Sequence, residues 1–206
     1  MPRTYILGIA ILWGCFAHAQ KKMPNPQIGK NEIEAALFNL YDMNAGSYDD
    51  RRQVLGAHFV YRWSWKKYTK AGPGFLGAAD YSSGDGLSSD VVPYGVVFAD
   101  ITQFVGTQQK WSIGGEAGPS LYTREYDYNE PNLKSSNKYS GGMYYSISCS
   151  YREVVSRKAL LSISLFWALR NFRNHRVTEY YSPPSIEEYN DVQAHSGLGV
   201  RFGVVF

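Results

Sequence analysis

Cysteine is scarce in this chain. It has two, Cys15 and Cys149, and Cys15 lies in a segment that reads as removable, so no intrachain disulfide is available to the mature protein. Long apolar runs are missing too. Past residue 20 no segment approaches the ~18 apolar residues that mark a membrane-spanning helix, which excludes a helical membrane protein. The formal net charge is only +3, too small to indicate a nucleic-acid partner. No repeat at the ~20–50-residue period of solenoids occurs, and there is no low-complexity tract. Nor is there a Gly-rich phosphate motif, a zinc spacing or a nucleophile elbow. No cofactor and no metal are implied, and the chain is expected not to be an enzyme.

The first residues have a character of their own. Met1-Pro2-Arg3 is a short basic start, Thr4 to Phe16 is an uncharged apolar run, and Ala17-His18-Ala19 sets small residues around a cleavage point before Gln20. That order is the signature of a secretory signal peptide. The run is too short to cross a bilayer core, which needs ~20 helical residues. A lipoprotein signal at Leu12-Trp13-Gly14-Cys15 is disfavoured by the bulky Trp13. Residues 1–19 therefore read as a signal peptide, 20–29 as a flexible lead-in and 30–206 as one domain. Cleavage removes Arg3 and no acid, so the charge falls from +3 to +2.

What the chain has in abundance is aromatics and alternation. Aromatics reach 16% with 17 Tyr, yet mean hydropathy is −0.33. Past residue 30 the period is two. Eight strands are predicted, at 30–43, 51–66, 73–82, 92–105, 110–124, 138–153, 157–172 and 193–206. Most exceed the ~5–6 residues of soluble strands and suffice for the ~9–11 of a tilted membrane strand. In the last strand Ala194, Ser196, Leu198, Val200, Phe202, Val204 and Phe206 fall on one face, opposite His195, Gly197, Gly199, Arg201 and Gly203. In the second, Leu55, Ala57, Phe59, Tyr61, Trp63 and Trp65 oppose Gly56, His58, Arg62, Ser64 and Lys66. One face is apolar; the other carries small residues and isolated charges, which suits the narrow lumen of an eight-stranded barrel.

The register places Glu34, Asp42, Arg62, Asp80, Asp100, Glu116, Arg170 and Arg201 on the inner face. Both signs occur, and in a water-poor lumen they must pair, because an unpaired buried charge is very costly. Connections at 106–109 and 154–157 are short, whereas 125–137 and 173–192 are long and polar, matching the short periplasmic turns and long external loops of membrane barrels. Tyr61, Trp63, Trp65 and Trp111 fall at one end and Tyr41, Tyr81 and Trp167 toward the other, where interfacial girdles belong.

These features together resemble the small outer-membrane β-barrel proteins of Gram-negative bacteria, with a Bacteroidota-like signal. They are the signal ending in Ala17-His18-Ala19-Gln20, the alternation, and the terminus Gly199-Val200-Arg201-Phe202-Gly203-Val204-Val205-Phe206. The resemblance implies an all-β, antiparallel up-and-down transmembrane barrel of about eight strands. It also implies Phe206 as the signal read by the barrel-assembly machinery, and contact with outer-membrane lipid. It says little about function, since such barrels serve many roles.

Individual residues add little chemistry. His195 and Ser196 are adjacent and point to opposite strand faces, so they cannot act as a hydrolytic pair; His195 is expected in the lumen near Arg201 and Glu116. Gly84-Asp85-Gly86 with Asp90 is too sparse for a calcium loop. Cys149 falls on the lipid face as an inert residue. The segment 173–192 is richer: Arg173, Arg176, Tyr180, Tyr181 and Tyr189 are residue types favoured in contacts. They nominate it as an external binding loop for another envelope protein or a surface ligand. The expected protein is a monomeric, non-enzymatic outer-membrane barrel with a structural or surface-binding role. The alternatives are an outer-membrane lipid-modifying hydrolase and a soluble periplasmic ligand-binding barrel with an apolar interior. N-terminal sequencing of the exported protein should begin at Gln20; a mature chain that keeps Thr4–Phe16 would refute the signal-peptide reading.

Overall fold

The computed structural model describes residues 31–43, 51–83, 89–106, 108–121, 123–156 and 158–206. The segments 1–19 and 20–29, expected to be a signal peptide and a lead-in, and Gly84-Asp85-Gly86 lie outside the described residues. Ten strands follow in order: β1 Asn31–Asp42, β2 Arg51–Lys66, β3 Thr69–Ser83, β4 Ser89–Val105, β5 Trp111–Pro119, β6 Thr123–Glu130, β7 Leu133–Ser140, β8 Met143–Ser156, β9 Ala159–Tyr181 and β10 Pro184–Val205.

Eight of them close a ring in the order β10-β1-β2-β3-β4-β5-β8-β9, with β9 returning to β10. All pairings are antiparallel. The seam at the chain's end is tied by Ile33 and Phe206, whose backbone N–H groups each donate to the other's carbonyl at 3.1 and 2.9 Å. Closure removes the open edges that would invite aggregation within the ring. Because eight is even, the start of β1 and the end of β10 lie at one end of the ring. The ends of β2, β4 and β8 and the starts of β3, β5 and β9 lie at that same end.

Alternation in the sequence becomes alternation in burial. β1 runs exposed-buried along nearly its whole length, and β5 does the same. The exposed positions are apolar: Leu37 is 70% exposed, Ile147 61% and Ile113 56%. Tyr61, Trp63, Trp65, Trp111, Tyr41, Tyr81 and Trp167 all project outward. A soluble protein seldom bears an apolar belt of this extent. The soluble-barrel alternative requires a polar exterior, and the walls run the other way.

Two expectations are corrected. Residues 125–137 and 173–192 were expected to be external loops, but they are strands. β6 and β7 form a hairpin that pairs through β7 with Arg173–Tyr180 of β9. β9 and β10 pair continuously from Leu160↔Val205 to Tyr181↔Pro184. The upper parts of β9 and β10 thus join β6 and β7 in a four-stranded sheet that stands beyond the ring. Apolar alternation reports burial of one face, not the strand itself. Here the strands lie beyond the ring and its apolar belt, so the segment reads as polar although Val177, Thr178, Tyr180, Tyr181 and Ile186 favour extended backbone.

Packing inside the ring is tight enough to require glycine. A Cβ on Gly199 of β10 would lie 2.5 Å from Phe166 Cζ and 2.6 Å from the Asn39 carbonyl oxygen. On Gly115, its nearest neighbour would be 3.8 Å away. Gly199→Val should therefore cost about 1–3 kcal/mol through overpacking, while Gly115→Ala stays within about 0.5 kcal/mol. Urea unfolding in detergent micelles would check both; equal stability of the two variants would contradict the packing described.

Candidate functional site

The lumen is built in tiers, set by the inward residues of each strand. On β1 these are Glu32 and Glu34, then Ala36, Phe38 and Leu40, then Asp42. At the closed end Arg62 of β2 donates through Nε and Nη2 to Asp100 of β4 at 2.5 and 3.1 Å, and through Nη1 to Glu34 at 2.5 Å. Lys70 Nζ donates to Glu32 at 2.7 Å. Arg152 of β8 reaches Glu32 at 3.1 Å and Glu34 at 3.4 Å. Ser162 donates to Glu34 at 3.1 Å. Three carboxylates thus face three cations, all nearly or fully buried.

One tier further in, Glu116 of β5 accepts a bidentate pair from Arg201 of β10 at 2.7 and 3.2 Å. It also accepts from Ser146 at 2.7 Å and from the Tyr144 hydroxyl at 3.3 Å, and His58 Nε2 lies 2.9 Å away. Aromatic faces cover this cluster: the His58 ring stacks on Phe98 with centroids 5.0 Å apart, and the Arg201 guanidinium lies 4.9 Å from the Phe166 centroid. An apolar layer of Phe38, Leu40, Val54, Leu76, Val96 and Phe166 follows. At the far mouth Arg170 of β9 lies 3.4 Å from Asp80 of β3 and 3.7 Å from Asp42, over the ring of Tyr94. His195 Nδ1 lies 3.0 Å from Asp42.

Three of these links join strands that are not neighbours. β10 to β5, β8 to β1 and β9 to β3 are each separated by at least two other strands around the ring. Their side chains therefore cross the lumen, at three levels. Each is a bridge between walls as well as a neutralised charge.

All eight inner-face charges nominated from the sequence face the lumen, in three groups: Glu34, Arg62 and Asp100; Glu116 and Arg201; Asp42, Asp80 and Arg170. The sequence reading omitted Glu32, His58, Lys70 and Arg152. Parity carried the signal for three of them. Glu32 is two residues from Glu34, His58 was already on the polar face of β2, and Arg152 continues Ser146, Ser148 and Ser150. Lys70 was hidden because β3 begins at Thr69, four residues earlier than apolar alternation suggests. His195 was expected near Arg201 and Glu116. It sits instead at the mouth, because six strand residues span about 20 Å.

The contact candidates of 173–192 separate by face. Arg176 of β9 lies opposite Tyr189 of β10, and Tyr180 shares their parity. Arg173 and Tyr181 are on the other face. Tyr181, Tyr189, Arg173 and Arg176 are exposed, while Tyr180 is half-buried and its hydroxyl lies 3.4 Å from Glu187. Phe206 is exposed at the seam, and Cys149 is exposed on the outer wall. Just before β5, Lys110 donates to Glu153 of β8 at 2.9 Å, and that hydrogen bond holds the Lys110 pKa above its ordinary value.

No protein-family model matches the chain, and no curated protein matches it. Solved outer-membrane β-barrels do show likeness. The outer-membrane protease OmpT of Escherichia coli is 10% identical over 91% of this chain and 99% of its own, with a TM-score of 0.39. An outer-membrane channel from Pseudomonas putida F1 is 9% identical over 90% and 99%, at 0.31. The translocator domain of the autotransporter NalP from Neisseria meningitidis is 9% identical over 98% and 95%, at 0.26. Likeness at this level carries no argument about activity.

The bridges make a definite energetic demand. Arg201→Met leaves Glu116 buried without its bidentate partner and should cost about 3–5 kcal/mol. The double variant Arg201→Met/Glu116→Gln should lose less than Arg201→Met alone, because the stranded charge is gone. Unfolding free energies in detergent, combined as a double-mutant cycle, test this; additive losses would show that the two groups do not depend on each other.

Proposed function

We propose that this chain is a monomeric, non-enzymatic integral protein of a Gram-negative outer membrane. In this reading a bridged and plugged barrel holds a projecting sheet at the cell surface as a binding element. One observation carries it: two strands of a lipid-compatible ring continue far past it. A tilted membrane strand needs ~9–11 residues. β9 has 23 residues and β10 has 22, so about half of each stands outside. Rigid scaffolds that present polar segments are where contact residues concentrate. Exposed Arg173, Arg176, Tyr181 and Tyr189 supply the residue types.

The apolar exterior, the neutralised lumen and the aromatic positions support the membrane assignment. Phe206, exposed beside the seam, is the residue we assign to recognition by the barrel-assembly machinery. The lumen's cross-wall bridges favour a plug over a pore. The lipid-modifying hydrolase alternative would draw on the His195–Asp42 pair. Ser196, however, lies on the opposite face of β10, so it is not placed to serve that pair as a nucleophile.

Two measurements test the proposal. After membrane fractionation the protein should appear with outer-membrane markers, and its gel mobility in detergent should change on boiling. Deleting 176–190 should keep that mobility shift while abolishing attachment of intact cells to the surface or envelope partner. A soluble, unshifted protein, or unchanged attachment after the deletion, would reject it.

A further inference from the structure

One edge of the projecting sheet is open among the described residues. β10 pairs with β1 only from Gly197 to Val205, whereas it pairs with β9 over its full length. The Ser196 carbonyl points to the β1 side, where the Met43 N–H donates to it at 2.7 Å. Backbone groups of alternate residues point the same way in an antiparallel strand. Val192, Asn190, Glu188 and Ile186 therefore direct their N–H and C=O groups to that side. There, among the described residues, no strand pairs with them. The Val192 N–H is taken by the preceding Asp191 carboxylate at 2.6 Å. Asn190, Glu188 and Ile186 are left as a row of exposed strand positions.

Natural edge strands are protected by charged side chains, above all lysine, by proline or by a bulge, and of these guards this edge carries only acids beyond Pro184. Ser185–Gln193 contains no lysine and no proline, and the β9–β10 register runs without a shift. Ile186, Tyr189 and Val192 on it are exposed at 71%, 58% and 63%, which adds apolar contact to the free hydrogen-bonding groups.

Charge says what fits there. Ser185–Gln193 carries Glu187, Glu188 and Asp191 and no lysine or arginine. This stretch of β10 is therefore acidic, and its partner in the ladder, upper β9, has Arg173 and Arg176 against Glu179. Opposite charges on paired strands stabilise a sheet, so a strand added to the other edge of acidic β10 would be basic. We infer that the β10 edge from Ser185 to Val192 binds an extended basic segment of a partner protein by strand addition. This rests on the reading of the projecting sheet as a binding element, and it names the partner's chemistry and the mode of contact.

The test uses the full-length protein in zwitterionic micelles. The probe is a peptide of about seven alternating lysine and threonine residues; its control has glutamate for lysine. The readout is residue-resolved amide hydrogen exchange. The lysine peptide should slow exchange at Ile186, Glu188 and Asn190 by about 10-fold or more, and the effect should fade as salt rises to about 0.5 M. The glutamate peptide should leave exchange unchanged. Asn190→Pro removes one edge N–H outside the β9 ladder, so it should keep the boiling-dependent mobility shift and lose the protection. Unchanged exchange, or equal protection by both peptides, overturns strand addition. If attachment still depends on 176–190 in that case, the projecting-sheet reading survives alone; if it does not, that reading falls as well.

Discussion

The structure depends on neutralising charge in a lumen too narrow to hydrate it. Eight strands leave an interior that side chains must fill, and this interior is filled with carboxylates, guanidiniums and a lysine. Removing either member of such a pair is far worse than never having had it. Glu116 shows the extent of the solution: a bidentate arginine, a serine, a tyrosine and a histidine converge on one carboxylate. Because the arginine and the histidine come from the distant strands β10 and β2, solvation and wall-to-wall cohesion are supplied by the same contacts. The apolar exterior contributes little cohesion in lipid, where hydrocarbon is as good a neighbour as another side chain. The lumen therefore does what a hydrophobic core does in a soluble domain.

The ring was legible in the sequence because it is two-sided. Wherever one face meets lipid and the other the lumen, as at Leu161–Leu169 or Leu198–Phe206, alternation is strict and parity alone assigns the inner charges. The sequence is silent where that contrast disappears. β6, β7 and the upper halves of β9 and β10 lie beyond the ring, so their period-2 pattern carries no hydropathy signal and they pass for loops. Lys70 was lost for a related reason: Thr69-Lys70-Ala71-Gly72 offers too few apolar residues to mark the start of β3. Partner choice in three dimensions was also out of reach. Parity places His195 inside but cannot say how far up, and the height separates Asp42 from Glu116 as its neighbour.

The uneven heights of the strands give the molecule a direction. β1 ends at Asp42, opposite Gly197, whereas β9 and β10 continue together to Tyr181 and Pro184, so among the described residues these two strands stand far above their neighbour β1. The tall strands are where a charged, aromatic surface is presented. Sidedness of this kind comes from strand length alone, with no separate domain.

The unbroken β9–β10 ladder also has a mechanical meaning. Every residue from Leu160 to Tyr181 is matched by one from Pro184 to Val205, so the hairpin contains no hinge between wall and tip. From Arg170 to Tyr181 the strand extends about 36 Å at ~3.3 Å per residue. A sideways pull on the tip therefore acts as torque on a stiff arm rooted in the wall. The ion bridge that anchors its base, from Arg170 across to Asp80 and Asp42, is where that load would be resisted.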